Sequence, residues 1–140
     1  MKEYKASTTI QASPERIWAV LTDGGSWPQW DPSCDKIEGR IAPGEKLKAF
    51  TKLSPGRAFP VKVTEFVPNQ KMTWTGGMPL GLFKGVRTFT LAPQGNGVEF
   101  TLHEVFSGPM LALIGGSIPD MTSAFQGFVA GLKSRAEKPG

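Results

Sequence analysis

The chain has 140 residues, 39% of them hydrophobic and 20% charged, with a net charge of +4. That is the make-up of one ordinary globular domain, and no apolar run approaches the ~18 residues of a membrane span. The one cysteine, Cys34, excludes an intrachain disulfide, and the one histidine, His103, excludes a His-rich metal site.

The N-terminus enters an alternating pattern at once, with Tyr4 to Ile10 predicted as a first strand and no apolar stretch of a secretory signal, so a cytoplasmic location is expected. Ser13-Pro14-Glu15 then supplies a cap, a proline at the first helical position and an early acid, predicting a helix to about Leu21 that Asp23-Gly24-Gly25 stops. A short helical turn is expected over Trp27 to Trp30.

Strand-like segments follow at 36–41, 46–53, 58–67, 71–76, 83–92 and 98–107, each bounded by Pro, Gly or Asn. The separators are short, so neighbours should pair antiparallel as a meander. Counting the first, the sheet has about seven strands. Lys46, Lys48 and Lys52 alternate with Leu47, Ala49, Thr51 and Leu53, which is the solvent face of a half-buried strand and not the clustered basic face of a nucleic-acid binder.

Beyond Pro109, an apolar stripe of Leu111, Ile114, Ile118, Met121, Phe125, Phe128 and Leu132 recurs at steps of three and four. It predicts one helix ending near Glu137, its apolar side on the sheet. Gly115-Gly116-Ser117-Ile118-Pro119 falls inside that stripe and should kink or break the helix.

Strand periodicity puts Phe83, Gly85, Arg87, Phe89 and Leu91 on one face, and Phe100, Leu102, Glu104 and Phe106 on one face of the next strand. Both faces are apolar apart from one charge each. With a hairpin loop at 94–97 and Pro93 opposite Val98, Arg87 and Glu104 lie directly opposite each other. Two readings stand: an internal ion pair that fixes register, or a polar handle for a ligand carbonyl or carboxylate. Glu65, in phase with Phe59, Val61 and Val63, is a third candidate internal polar group, although Phe66 beside it competes for the inner face. His103 should point outward. Cys34 lacks a neighbouring base, and no phosphate loop, Ser-His-Asp order or metal-ligand spacing is present.

Several strings resemble one family: Ile10-Gln-Ala-Ser-Pro-Glu-Arg-Ile-Trp-Ala-Val-Leu-Thr-Asp23, Trp30-Asp-Pro32, Val63-Thr-Glu-Phe-Val-Pro68, Met72-Thr-Trp74 and Phe100-Thr-Leu-His-Glu-Val-Phe-Ser-Gly108. Together they resemble the SRPBCC, START-like or helix-grip, superfamily, and within it the small bacterial polyketide cyclase/dehydrase-type members. The resemblance covers nearly the whole chain and implies a single α+β domain over residues 1–140. Its fold would be a seven-stranded antiparallel curved sheet wrapped around a long C-terminal helix, with two short helices after the first strand. Two departures are the Gly115–Pro119 interruption and Asp31, where relatives commonly carry Asn.

The resemblance implies a cavity between sheet and helix that binds a small hydrophobic or amphipathic molecule, lipid- or polyketide-like, without a cofactor or metal. Candidate walls are Met72, Trp74, Phe83, Phe89, Phe100, Leu102, Phe106, Met121, Phe125 and Phe128, with Arg87 and Glu104 as polar groups. A second reading is a cyclase or dehydratase-like enzyme using Arg87 with Glu104 or Glu65 for proton transfer. A third is a protein-interaction or assembly factor working from its outer surface.

Overall fold

A computed structural model describes residues 2–114, 116 and 118–138. Strand β1 (Lys2–Ile10) leads into helix α1 (Pro14–Thr22), a tight turn over 24–26 and the single-turn helix α2 (Trp27–Trp30). Strands β2 (Cys34–Glu38), β3 (Lys46–Thr51), β4 (Ala58–Val67), β5 (Lys71–Gly77), β6 (Lys84–Gln94) and β7 (Gly97–Ser107) follow, then the short α3 (Leu111–Ile114) and α4 (Thr122–Glu137). The strands form one antiparallel sheet in the order β1-β7-β6-β5-β4-β3-β2, curved around α4. The helix-grip architecture is therefore present.

Local chemistry sets the element ends. Ser13 Oγ accepts from the Arg16 N–H at 3.1 Å, and Pro14 occupies the first turn of α1. The β6–β7 turn is two residues, Gly95 and Asn96, with Gly95 at φ 58°, and it fixes the register that pairs Pro93 with Val98 and Arg87 with Glu104.

The far end of α4 is tied down by side chains. Arg16 donates to the carbonyls of Arg135 (3.2 Å) and Ala136 (3.4 Å), and Lys133 Nζ donates to Thr9 O at 2.7 Å. These bonds satisfy carbonyls that a helix end and a strand end leave open.

In two places the structure corrects the sequence pattern. The break expected at 115–119 is present but longer than expected: α3 stops at Ile114, and α4 starts only at Thr122, where Asp120 Oδ1 accepts the Thr122 N–H at 2.9 Å. Ile118 and Met121 therefore lie outside the helix whose stripe they were expected to share, because Gly116 and Pro119 disfavour helix and Asp120 restarts it. Gly115 and Ser117, also in that interruption, lie outside the described residues.

The second correction concerns Glu65. The register of β4 on β5 slips between Val63, opposite Trp74, and Glu65, opposite Thr73. The extra residue, Thr64, reverses the alternation, so Phe66 packs on the core and Glu65 turns to the outer face. There it accepts from Thr73 Oγ1 (3.1 Å) and pairs with Lys71 Nζ (3.2 Å).

The core is concentrated between the sheet and α4, where Trp27 stacks on Trp74 (ring centroids 5.2 Å, planes 11° apart) and Phe128 on Phe100 (6.0 Å). Met72, Phe89, Phe100 and Leu102 are fully excluded from solvent.

Candidate functional site

Directly opposed residues of an antiparallel sheet present their side chains on one face, close enough to touch. Across β5, β6, β7 and β1 one inner-face row reads Trp74, Arg87, Glu104, Tyr4. The row beside it, towards the end of the sheet, reads Gly76, Gly85, Phe106, Lys2. The row on the other side is Met72, Phe89, Leu102, Ala6. One row is thus polar, one of its neighbours is solid apolar core, and the other has two facing glycines that let Phe106 and the β4 backbone close in, a Cβ on Gly85 meeting the Phe106 ring at 3.2 Å and one on Gly76 meeting Pro60 O at 2.8 Å.

Arg87 Nε and Nη2 both donate to Glu104 Oε1, at 3.2 and 2.8 Å. Neither Nη1 of the guanidinium nor Oε2 of the carboxylate takes part in the pair. Oε2 lies 3.6 Å from the position a Cβ on Gly85 would occupy, beside the Phe106 ring at 3.2 Å, so the glycine is what lets ring and carboxylate share that place. The two side chains are 26% and 12% exposed, which means that solvent reaches the inner face here although it is shut out one row away.

Aromatic rings surround the pair. The Arg87 guanidinium lies 5.1 Å from the centroid of Phe125 on α4, a cation–π distance. Tyr4 meets Phe125 at 6.0 Å and Phe106 at 6.4 Å, and Phe83 stacks on Phe106 at 5.7 Å. The Tyr4 hydroxyl donates to Pro119 O at 3.4 Å, tying the helix interruption to this wall.

The candidate residues from sequence therefore separate into two groups. Arg87, Glu104, Phe83, Phe106 and Phe125 meet at the open end, and Met121 sits just before α4. Met72, Trp74, Phe89, Phe100, Leu102 and Phe128 pack against one another in the solid core behind it. Glu65 is on the opposite face of the sheet. His103 also points outward, its Nε2 2.8 Å from Glu3 Oε2. Two clefts lie elsewhere, one between 11–14 and 93–98, the other between α2 and α4, and neither includes the Arg87 row.

Sequence reasoning missed Asp31 as a site residue. It follows α2, is only 5% exposed, and its Oδ1 accepts from the Ser33 N–H (3.1 Å) and Ser33 Oγ (3.0 Å). Burial pushes its carboxyl above the usual range, while the Ser33 bonds and the positive charges of Arg87 and Lys52 pull it back. The signal was an acid flanked by Trp30 and Pro32 immediately after a tryptophan-bracketed turn. Buried indole donors also stand without a partner among the described residues: Nε1 of Trp30 and Nε1 of Trp74.

The shift on Asp31 has a defined sign. A carboxyl raised by folding favours the native state most below the ordinary carboxyl pKa, and that contribution is lost as pH rises through the raised value. Asp31→Asn keeps an oxygen for Ser33 and removes the buried charge. Urea midpoints followed from about pH 4 to about pH 7 should show the variant gaining on the parent chain as pH rises. A constant difference over that window would mean that Asp31 carries no such penalty.

Cys34 is buried, and its thiol is pushed up to about 12 by burial and by the negative charges of Asp31 and Asp35. It stays a thiol at neutral pH and is no nucleophile. A thiol reagent is expected to modify the native chain only as fast as it unfolds. Immediate stoichiometric labelling without denaturant would contradict that placement.

Among the described residues no three His, Cys, Asp or Glu side chains gather as a metal-ligand cluster, and no helix is long and apolar enough to cross a membrane.

Comparison with known proteins agrees with this fold. Residues 1–137 match the profile of the family described as polyketide cyclase / dehydrase and lipid transport. The chain belongs to that family. No curated protein sequence matches it. Among solved structures it is similar to a START superfamily protein from Mycobacterium smegmatis, with 18% identity, a TM-score of 0.67, and 96% of this chain and 97% of that one covered. It is similar also to the Aha1 dimer from Colwellia psychrerythraea (22%, TM-score 0.72, 98% and 97% covered). A third similarity is to StfQ, a di-domain ARO/CYC protein of the steffimycin biosynthetic pathway (12%, TM-score 0.72). The match takes in 96% of this chain but 50% of StfQ. These likenesses establish the fold of the family.

Proposed function

We propose that the protein binds one small hydrophobic or amphipathic molecule between β5–β7 and α4, its polar end on Arg87 and Glu104. The observation that carries this reading is the half-open ion pair itself. It stands in an aromatic wall and is partly open to solvent, with a guanidinium N–H and a carboxylate oxygen outside the pair. Pockets for apolar molecules use just such a few polar groups among apolar walls. The family's description, which includes lipid transport, supports the same class of ligand.

Turnover is the second reading, and Asp31 is the observation in its favour. A buried carboxyl held above its usual range by desolvation, within the electrostatic reach of Arg87, is the kind of perturbed group that active sites use. Proton transfer would then fall to Asp31, or to Glu104 beside Arg87, and not to Glu65, which faces away.

Native mass spectrometry of freshly purified protein, with organic extraction of anything bound, tests the binding reading. A stoichiometric small molecule supports it and supplies the compound to assay for turnover. Protein that is empty and also fails to bind apolar fluorescent probes overturns it.

A further inference from the structure

Most of the chain's exposed large hydrophobic side chains are at one end. Antiparallel register puts the β3–β4 loop, the β5–β6 loop and the segment after β7 at the same end of the sheet, the end at which the Arg87 row opens. Exposed Leu53, Met78, Leu80, Leu82 and Leu113 all belong to these segments, and among the described residues Val67 alone of the exposed large hydrophobics lies at the other end.

Leu80 is the most pronounced case. It is 96% exposed and sits at φ 61°, a left-handed conformation that glycine adopts freely and leucine does not. The loop that carries it is not loose. The Met78 N–H donates to Phe83 O at 2.8 Å, and the Met110 N–H donates to Leu82 O at 2.8 Å, fastening the loop to the base of the segment that carries Leu113. A strained leucine held out into water by a hydrogen-bonded loop, beside a second leucine that is 77% exposed, calls for an apolar partner.

Charge indicates which partner. Residues 52–57, 77–84 and 108–119 contain Lys52, Arg57 and Lys84 and no acidic residue, with Asp120 just beyond. Apolar tips on loops that carry three cations, one with its Nζ on Pro32 O and one over the Phe59 ring, and with Glu3 as a nearby acid, match an anionic bilayer surface, whose acyl boundary takes leucine and methionine while its headgroups take lysine and arginine. A protein partner of standard size would need a broad contiguous face, not separated loop tips.

We infer that this end of the molecule docks on an anionic phospholipid bilayer, with Leu80 and Leu113 entering the interface. The surface is distinct from the internal site, and its test does not depend on a bound small molecule.

Sedimentation of the full chain with phosphatidylcholine vesicles, with and without phosphatidylglycerol, tests the inference. Binding is expected only when phosphatidylglycerol is present and should weaken as salt rises. Leu80→Gly/Leu113→Ser should lower vesicle partitioning by about tenfold or more, since each leucine tip contributes burial at the interface. The glycine also relieves the backbone at residue 80, so a urea midpoint at or above that of the parent chain shows that folding is not the cause. Arg87→Met, which alters the internal site, should leave vesicle binding unchanged. No binding to anionic vesicles at low salt, equal binding to neutral ones, or full binding by the double variant overturns the inference. A self-association lost in the double variant while vesicles go unbound overturns it in favour of a protein contact.

Discussion

Glu104→Leu is expected to destabilise the protein by about 3 kcal/mol, whereas Arg87→Met/Glu104→Leu should fold with nearly the stability of the parent chain. The single change strands the Arg87 guanidinium over Phe125 without the one anionic partner it has at hydrogen-bond distance among the described residues. Removing both charges eliminates the desolvation cost along with the attraction. Urea unfolding of the singles and the double completes the cycle, and a double variant as unstable as Glu104→Leu would mean that the pair is needed for folding. Function separates from stability in the same variants. Arg87→Met should weaken a ligand with a carboxylate or carbonyl head by about tenfold or more, while leaving a hydrocarbon of equal size nearly untouched. Equal losses for the two ligands would reduce the pair to a register device.

A comparable effect is expected at Gly131, where the cause is steric. A methyl group there would run into the carbonyl oxygen of Trp30, the last residue of α2, so the two helices touch through backbone. Gly131→Ala gains about 1 kcal/mol of helix propensity, but overpacking against immovable backbone costs about 3 kcal/mol and outweighs it. At Gly127, one turn earlier, the added methyl meets Pro32 Cγ at 2.9 Å, a ring edge that can give. Gly127→Ala should therefore be close to neutral, and thermal unfolding of the two alanine variants side by side checks the order. A Gly131→Ala protein within about 0.5 kcal/mol of the parent would show that α2 can withdraw from α4 at little cost. The contact has a consequence for the site, because α2 hands the chain to Asp31 and carries Trp27 onto Trp74.

Much of this architecture is legible before any coordinates. Strand limits are readable because Pro, Gly and Asn punctuate them, and the opposition of Arg87 and Glu104 is readable because a two-residue turn leaves one register. The helix interruption is readable from Gly116 and Pro119, though its length is not. It extends to Met121 because Asp120 supplies a new start. Glu65 shows where the pattern fails. A period of two assigns it inward, and a single bulged residue, Thr64, turns it out and Phe66 in. No local preference distinguishes a strand that bulges from one that does not. The choice depends on which side chain the opposing Met72 and Trp18 can pack against, with Phe66 meeting Trp18 at 5.2 Å.

What the sequence determined by itself is the order and kind of elements, the hairpin pairing and the two charges facing each other within an aromatic wall, all set by interactions between residues close along the chain. Only the tertiary structure decided which aromatics are spent on one another in the solid half of the core and which border the open half. It also decided that Asp31 is buried, and that three loops distant in sequence form one apolar and basic end. Those outcomes depend on how the sheet curls around α4 and where α2 rests on it, contacts between segments a hundred residues apart that no local pattern encodes.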